Sequence, residues 1–203
     1  MSIPFQDSET AKNLLRAFAG ESQARNRYDF AANLCQKQEL QAMAFIFQAT
    51  AKQEQAHAKV FWDHLQALNG QNLPIYGAYP IEGTNRILEL LRAAQHNEHE
   101  EHGSVYPSFA AIATQEGFPE AAASFRQIAA IEQLHGERFG LLADQLESGA
   151  LFVSQIETGW MCLNCGHTQN SLEAPRQCPV CNHGQGWFIR LELAPWSPVV
   201  KQT

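Results

Sequence analysis

Apolar side chains recur with the period of an α-helix along the first part of the chain. The first such stretch begins at an Asp7/Ser8 cap and continues to about Gln36, which is long enough for an amphipathic helix with one buried face. Its apolar positions are Leu14, Leu15, Phe18, Tyr28, Ala31 and Leu34. The pattern predicts a first long helix over this stretch.

A second helical stretch covers residues 39–68 and stops at Asn69-Gly70, a pair typical of a helix C-terminus. The chain then continues from Gln71 to Gly83 without helical periodicity. A connection of this length can cross from one end of a helix bundle to the other, whereas antiparallel neighbours need only a short loop. We therefore predict a crossover between the second and third helices.

The third helix is predicted over residues 84–115, with Thr84 as its N-cap and a kink where Pro107 removes a backbone N–H. Glu116-Gly117-Phe118 forms a short turn, and Pro119 suits the first position of a fourth helix. Four long helices with one crossover predict a mostly α fold based on a four-helix bundle.

Two Glu-x-x-His motifs lie on the predicted second and fourth helices. A spacing of three residues places a carboxylate and an imidazole on the same helix face, where both can bind one metal ion. A tyrosine precedes each motif at the same distance, so the two halves repeat at an offset of 78 residues. The matched residues are Tyr28, Glu54 and His57 in one half and Tyr106, Glu132 and His135 in the other. The repeat predicts two equivalent helix pairs around one shared two-metal site.

The other helix of each pair should add a carboxylate to this site. On the first helix the candidate is Glu21, and on the third helix Glu98 and Glu101 share one face. The residues interpreted instead as solvated surface are His96, His99 and Glu100. Five carboxylates and two imidazoles favour iron or manganese over copper. Two bridged ions can supply the two electrons that cleaving the O–O bond of peroxide requires.

Four of the five cysteines form two C-x-x-C motifs, Cys162-Leu163-Asn164-Cys165 and Cys178-Pro179-Val180-Cys181. Four thiolates in this arrangement predict a tetrahedral iron or zinc site in a small β module with Trp160, Phe188 and Trp187 in its core. The cysteines alone slightly favour zinc. Beside a two-iron centre, an iron that carries one electron at a time favours an electron relay. Cys35 is interpreted as a small buried apolar residue.

Composition and charge narrow the classes of partner. The formal charge of −7 argues against nucleic acid or an anionic membrane, and no apolar run reaches the roughly 18 residues that suggest a membrane span. The N-terminal residues lack the basic start and apolar core of a signal peptide, and the clustered cysteines indicate metal binding in a reducing compartment. We therefore expect a cytoplasmic protein.

Taken together, these motifs resemble those of the rubrerythrin family over nearly the whole chain. The matching stretches are residues 20–28, both Glu-x-x-His motifs, Glu98 and Glu101 before Tyr106-Pro107, residues 116–118, and the two C-x-x-C motifs. The resemblance implies a ferritin-like four-helix di-iron bundle at 1–149, a linker at 150–157, and a rubredoxin-like module with the C-terminal tail at 158–203.

The resemblance also implies roles for the bundle residues. Glu54 and Glu132 would bridge the two irons, which an oxo group also joins when they are oxidised. Glu21 would bind one iron, and Glu98 with His135 the other. The first iron would take Glu101 when oxidised and exchange it for His57 when reduced. The residues implied to hydrogen-bond the ligand carboxylates are Tyr28 and Tyr106.

The implied activity is a non-haem peroxidase that reduces hydrogen peroxide to water in oxidative-stress defence. Electrons would arrive from a reductase or rubredoxin through the four-cysteine iron, in a homodimer whose subunits can exchange domains. The chain departs from the family pattern at Asn97, where a glycine is frequent, and at Glu100, where a tyrosine is frequent. Ferritin-like iron(II) oxidation and storage, oxygen reduction, and metal binding without turnover remain alternatives. Zinc or manganese can also replace iron.

Overall fold

The computed structural model describes residues 3–194, so the predicted Pro195–Thr203 tail lies outside the described residues. Five α-helices come first along the chain and three β-strands follow. The helices are α1 (Glu9–Lys37), α2 (Gln41–His64), α3 (Ile87–Glu100), α4 (Tyr106–Glu116) and α5 (Pro119–Glu147). Because α3 and α4 form one helix interrupted by a π-helical turn at Glu101–Val105, the fold is a four-helix bundle, as predicted.

The ends of α1 explain how the first helix pair is positioned. The Ser8 side chain caps α1 by accepting a hydrogen bond from the Ala11 N–H at 3.1 Å, which confirms Ser8 as the cap. At the other end Glu39 has a φ of 60°, and this left-handed residue turns the chain into α2. A 3₁₀ turn at Leu65–Leu68 extends α2 to the predicted end of the second helix.

The start of the third helix differs from the prediction. Arg86 is the N-cap of α3, and Thr84 lies two residues earlier. The Thr84 hydroxyl accepts a hydrogen bond from the Arg86 N–H at 3.1 Å and donates one to Glu89 at 2.5 Å. Thr84 therefore organises the turn before the helix and does not cap it. A side chain that bonds the N–H two residues later is typical of such turns.

Pro107 does not end the third helix. A π-helical turn at Glu101–Val105 interrupts the helix just before this residue. Pro107 lies in the first turn of α4, where its missing N–H is tolerated. A π turn adds one residue to the helix. The residues after it are therefore rotated relative to those before it, and the helical period does not continue across the turn.

The turn between the third and fourth helices also holds the start of α1. Gly117 has a φ of 87°, a left-handed conformation that favours glycine, and Pro119 occupies the first position of α5 as predicted. The Glu116 carboxylate accepts hydrogen bonds from the backbone N–H groups of Glu9 at 2.9 Å and Thr10 at 2.7 Å. These bonds satisfy free N–H groups at the start of α1 and tie the two bundle halves together.

The 78-residue repeat extends into the packing of the core. Tyr28 packs against Phe47 and Phe139 with ring centroids 5.9 and 5.2 Å apart. In the other half, Tyr106 packs against Phe125 and Phe61 at 6.0 and 5.5 Å. Phe47 and Phe125 are related by the same offset, as are Phe61 and Phe139. Two equivalent aromatic clusters therefore lie on either side of the bundle centre.

The C-terminal module is a three-stranded antiparallel sheet in the order β2-β1-β3. The strands are β1 (Val153–Cys162), β2 (Thr168–Glu173) and β3 (Phe188–Arg190). β1 begins inside the predicted 150–157 linker and is the middle strand of the sheet, and β3 pairs only with its last residues, 160–162. Trp160 and Phe188 are buried in the module core with Trp187 partly buried against them, as predicted.

The module packs on the end of the bundle where α1 meets α2. Met161 and Ile189 of the module belong to the same apolar cluster as Met43 of α2. Gly186 lies so close to this turn that a Cβ added to it would stand 1.7 Å from the Glu39 carbonyl oxygen. Within residues 3–194, none of the helices has the length and hydropathy required to cross a membrane.

Candidate metal centres

Buried acidic and histidine side chains from four helices meet at the middle of the bundle. Two overlapping groups of four residues occur here, and within each group one ligand atom per residue lies within 4.8 Å of the others. The first consists of Glu21, Glu54, His57 and Glu132, and the second of Glu54, Glu98, Glu132 and His135. Glu54 and Glu132 belong to both groups. Two ions held by these groups would share two carboxylates.

The close contacts in this cluster are those expected around a cation. Glu132 Oε2 lies 2.7 Å from His135 Nδ1, and Glu132 Oε1 lies 2.9 Å from His57 Nδ1. Neither Glu132 oxygen nor His135 Nδ1 has a hydrogen-bond partner among the described residues, although all three atoms are buried. Buried polar atoms that converge without hydrogen-bond geometry need another partner, and a bound metal ion supplies it. The donor set therefore fits a pair of metal ions.

The electrostatics of the metal-free cluster point the same way. Burial and the charges of Glu132 and Glu54 raise the pKa of Glu21 well above its usual value. Burial likewise raises the pKa of Glu98 to about 8, against the lowering effect of His135. Burial alone would lower the pKa of His135, but Glu132, Glu54 and Glu98 outweigh it and raise that pKa to about 12. Burial would raise the pKa of Glu54, but His135 and His57 outweigh it and lower that pKa to about 2. Glu21 and Glu98 crowd too closely with the other carboxyls to ionise without added positive charge.

Glu101 is the predicted ligand that the structure does not bring into either group. It lies on the π-helical turn and is only partly exposed. Burial, followed by the charges of Glu98, Glu132 and Glu54, raises its pKa well above the usual value, so the carboxyl is still near the centre. His57 is in the first group and Glu101 is outside it. The exchange of these two ligands remains a prediction.

Two tyrosines bind the terminal carboxylates across the repeat. The Tyr28 hydroxyl, from the first half, donates to Glu98 of the second half. The Tyr106 hydroxyl, from the second half, donates to Glu21 of the first at 2.5 Å. Both rings are buried. Each half of the repeat thus orients a ligand of the other half, as expected of residues that support a metal ligand.

One supporting residue was not found from the sequence. Gln53 Oε1 lies 2.9 Å from His135 Nε2 and fixes the orientation of that imidazole. The residue 78 positions later is Ile131, which has no polar atom on its side chain. The contacts that His57 makes with Glu21, Glu54 and Glu132 all involve its Nδ1. This difference between positions 53 and 131 is visible in the sequence and could have indicated the role of Gln53.

The residues interpreted as solvated surface are exposed in the structure, namely His96, His99 and Glu100. Cys35 is fully buried, and burial raises the pKa of its thiol to about 12, so the interpretation of Cys35 as a buried apolar residue is confirmed.

The four cysteines of the module form a second group with sulfur atoms within 4.8 Å of one another. Cys162 Sγ lies 3.7 Å from Cys181 Sγ, and Cys165 Sγ lies 3.6 Å from Cys178 Sγ. None of the four is in a disulfide. Four free thiols at these separations suit one tetrahedral metal ion.

Backbone turns hold the sulfur atoms in place. Gly166 has a φ of 76°, and its N–H donates to the Cys162 carbonyl at 2.8 Å. Asn182 plays the equivalent part after the second motif, with a φ of 59° and an N–H bond of 2.9 Å to the Cys178 carbonyl. The backbone N–H of His183 lowers the pKa of Cys181 to about 5. Such N–H groups stabilise thiolates, which are the metal-binding form.

Comparison with known proteins agrees with this geometry. The sequence model of the family described as "Rubrerythrin" matches residues 12–143, and that of "Rubrerythrin, rubredoxin-like domain" matches residues 160–189. The chain belongs to the rubrerythrin family. The rubrerythrin of Porphyromonas gingivalis is 43% identical over 188 residues, covering 93% of this chain and 92% of that protein. The rubrerythrin of Nitratidesulfovibrio vulgaris is 40% identical, covering 92% and 96%.

Solved structures show the same architecture. Fully reduced nigerythrin is 25% identical with a TM-score of 0.60, and the match covers 91% of this chain and 90% of that one. A bacterioferritin from Desulfovibrio desulfuricans is 18% identical with a TM-score of 0.63, covers 70% of this chain and 82% of that one, and supports the ferritin-like fold alone. Rubrerythrins carry a di-iron site and a rubredoxin-like iron site, and this chain has a glutamate/histidine cluster and a four-cysteine cluster to hold them.

Proposed function

We propose that this rubrerythrin is a peroxidase that reduces hydrogen peroxide to water as an oxidative-stress defence. The observation that carries the proposal is the presence of two different metal centres in one chain. The four-cysteine iron can pass one electron at a time, and the bundle can hold two. Hydrogen peroxide takes up two electrons and two protons to give two water molecules, so the bundle matches its requirement.

The bundle irons, when bound, supply the two electrons, and the protein residues determine how the centre is held. We assign Glu54 and Glu132 as shared ligands because both belong to each buried group. Glu21 and Glu98 are the terminal carboxylates, each oriented by a tyrosine.

The two histidines of the repeat are supported unequally. Gln53 restrains His135, whereas the equivalent position for His57 is occupied by Ile131. This difference supports His135 as a permanent ligand and His57 as the ligand that exchanges with Glu101.

The position of the module supports electron delivery between subunits. Met43, which packs with the module, lies 11 residues before Glu54 on α2. At 1.5 Å per residue, that is on the order of 16 Å before the module's own dimensions are added. The four-cysteine site of one chain is thus far from its own bundle centre. We therefore propose a homodimer in which each module serves the partner bundle, with a reductase or rubredoxin as donor. We further propose a cytoplasmic location, where thiolates stay reduced.

The relay is tested by replacing one cysteine from each motif, Cys162→Ser and Cys178→Ser, in the full-length protein. Turnover of hydrogen peroxide with a reductase as donor should fall by more than about 10-fold, because no four-cysteine iron remains to pass electrons. Bundle iron, measured by metal analysis, should stay bound.

The matched control is Cys35→Ala, which removes a thiol that belongs to neither metal group and should retain turnover. The variants should also be reduced chemically with dithionite and then mixed with peroxide, because this step bypasses the module. Normal donor-coupled turnover in both serine variants would contradict the relay.

A further inference from the structure

A cavity of about 310 Å³ lies beside the bundle centre, between α1, the crossover and the third helix. Glu101 lines it, as does Gly20, the residue directly before Glu21. Tyr106 also lines the cavity, and its hydroxyl donates to Glu21. The cavity therefore adjoins the half of the centre that contains Glu21. It lies on the side of Glu101, the predicted ligand that belongs to neither buried group.

The cavity is larger than hydrogen peroxide requires. Its volume is well above the roughly 30 Å³ that one water molecule takes up in the liquid, so there is room for more than a single small molecule. Part of its wall is apolar, and the residues concerned are Ala17, Ala78, Pro80, Val105 and Phe109. A ligand that combines a short apolar group with a peroxide would fit such a wall, with its polar end toward Glu101.

The crossover is fixed over this cavity at its aromatic residues. The Tyr79 hydroxyl donates to the Arg16 carbonyl at 3.0 Å, and Arg16 Nε donates to the Tyr76 carbonyl at 2.9 Å. The Tyr79 ring lies against α1, because a Cβ added to Gly20 would stand 3.6 Å from Tyr79 Cε1. The ring is therefore held between the solvent and the residues that precede Glu21.

A second anchor holds the far end of the crossover. Arg27 donates two hydrogen bonds to the Glu82 carboxylate, at 3.0 and 2.9 Å, and both side chains are largely buried. Asn97 Nδ2 donates to Glu82 Oε1 at 2.9 Å. These bonds attach the crossover to both α1 and the third helix beside the cavity.

We propose that this cavity admits small alkyl hydroperoxides as well as hydrogen peroxide, and that the ring of Tyr79 sets the upper size of the alkyl group. The inference rests on the proposed peroxidase function and specifies its substrate class. The O–O bond of the hydroperoxide breaks, and with two electrons and two protons the products are one alcohol and one water. Bundle irons, when bound, would supply the two electrons as each changes from ferrous to ferric, and the protons would come from solvent.

The substrate class is tested by single-turnover mixing of the reduced full-length protein with hydrogen peroxide, tert-butyl hydroperoxide and cumene hydroperoxide. Hydrogen peroxide and tert-butyl hydroperoxide should both reoxidise the bundle, with one tert-butanol formed for every two iron ions oxidised, and the bulkier cumene hydroperoxide should react more slowly. Reoxidation by hydrogen peroxide without formation of tert-butanol overturns this inference and leaves the proposed function standing. Reoxidation by none of the three overturns both.

The role of Tyr79 is tested by the ratio of the cumene hydroperoxide rate to the hydrogen peroxide rate. Tyr79→Ala should raise this ratio by about 10-fold, the scale of steric discrimination in a pocket. Tyr79→Phe keeps the ring and removes only the hydroxyl, so its ratio should stay near that of the unaltered protein. An unchanged ratio in Tyr79→Ala overturns the assignment of Tyr79 as the size limit.

A measurement without turnover tests whether the Tyr79 ring acts as a gate, that is, whether it limits the size of molecules that enter the cavity. Val105→Cys introduces a thiol into the cavity wall at a partly buried position, while the other cysteines bind metal or, like Cys35, are fully buried. In the resting metal-loaded protein, methyl methanethiosulfonate should label the introduced thiol, and N-phenylmaleimide should label it efficiently only when Tyr79→Ala is also present. Mass spectrometry of the peptide measures both reactions. Equal labelling by N-phenylmaleimide with and without Tyr79→Ala overturns the proposed gate.

Discussion

At the scale of single residues, the bundle centre depends on hydrogen bonds that cross the repeat. Tyr28 orients Glu98 and Tyr106 orients Glu21, so each half of the chain restrains a carboxylate of the other half. Gln53 adds a restraint on His135 that His57 lacks. The two Glu-x-x-His motifs are therefore equivalent in their backbone positions and different in the freedom of their imidazoles.

Removing one of the tyrosine hydroxyls should weaken metal binding. Tyr28→Phe and Tyr106→Phe each leave a carboxylate without its hydrogen-bond donor, and losing such a partner costs about 10- to 100-fold in metal affinity. Competition with a chelator, followed by metal analysis of the bundle, measures the effect. The matched control is Tyr76→Phe on the crossover, whose side chain is 87% exposed. Equal metal retention in all three variants would contradict the supporting role of the buried tyrosines.

Metal loading should release protons and strengthen as pH rises. Burial raises the pKa of Glu98 to about 8, so in the metal-free bundle this carboxyl holds a proton at neutral pH that a metal ion must displace. Above that pKa the competing proton is lost. The apparent affinity for iron(II) or zinc should therefore increase between about pH 6.5 and 8.5. Calorimetry in buffers of different ionisation enthalpy counts the protons, and loading without proton release would contradict the raised pKa.

At the scale of elements, the contact between module and bundle depends on a glycine. A Cβ at Gly186 would stand 1.7 Å from the Glu39 carbonyl oxygen, a separation that no side chain can occupy. Glu39 is itself fixed in a left-handed conformation between α1 and α2. Neither the module nor the α1–α2 turn can move far without disturbing the backbone that leads into α2, the helix that carries Glu54 and His57.

Gly186→Ala should separate the module from the bundle while both keep their folds. Small-angle scattering should then show a larger radius of gyration, and absorption of the four-cysteine iron should be unchanged. Gly184→Ala is the matched control, because an added Cβ there meets nothing within 4 Å and its φ is −70°. The same radius in both variants would show that the contact does not hold the module.

Sequence patterns were sufficient for the elements that local chemistry determines. Helical periodicity, the Ser8 cap and Pro119 at the start of α5 follow from short-range rules, and the structure agrees. Thr84 was placed wrongly because a threonine two residues before a helix can organise a turn as well as a cap. The π-helical turn was missed, since Pro107 predicts a disturbed helix without determining how the helix accommodates it.

At the scale of the whole molecule, the repeat explains how one chain can build a symmetric centre with an asymmetric ligand set. The two Glu-x-x-His motifs and their tyrosines could be predicted from the offset of 78 residues, because equivalent helix positions fold to equivalent places. The contact between Gln53 and His135 could not be predicted with the same rule, since it joins two helices whose packing the sequence pattern does not specify.

The same scale relates the two metal groups to each other. The four-cysteine module packs at the α1–α2 end of the bundle, and the glutamate/histidine cluster lies at its middle. One chain therefore carries both clusters, at separate places in the fold. Their separation is the reason for the proposed homodimer, in which the module of one subunit approaches the bundle of another.

The central claim, that the bundle reduces peroxide, is tested most directly by a single-turnover measurement. The full-length iron-loaded protein is reduced anaerobically and mixed either with hydrogen peroxide or with air-saturated buffer, while absorption of the di-iron centre is recorded. We predict that one hydrogen peroxide is consumed for every two iron ions oxidised and that peroxide reoxidises the bundle clearly faster than oxygen does. Reoxidation by oxygen at an equal or higher rate, or consumption of peroxide without oxidation of the pair, would contradict the account.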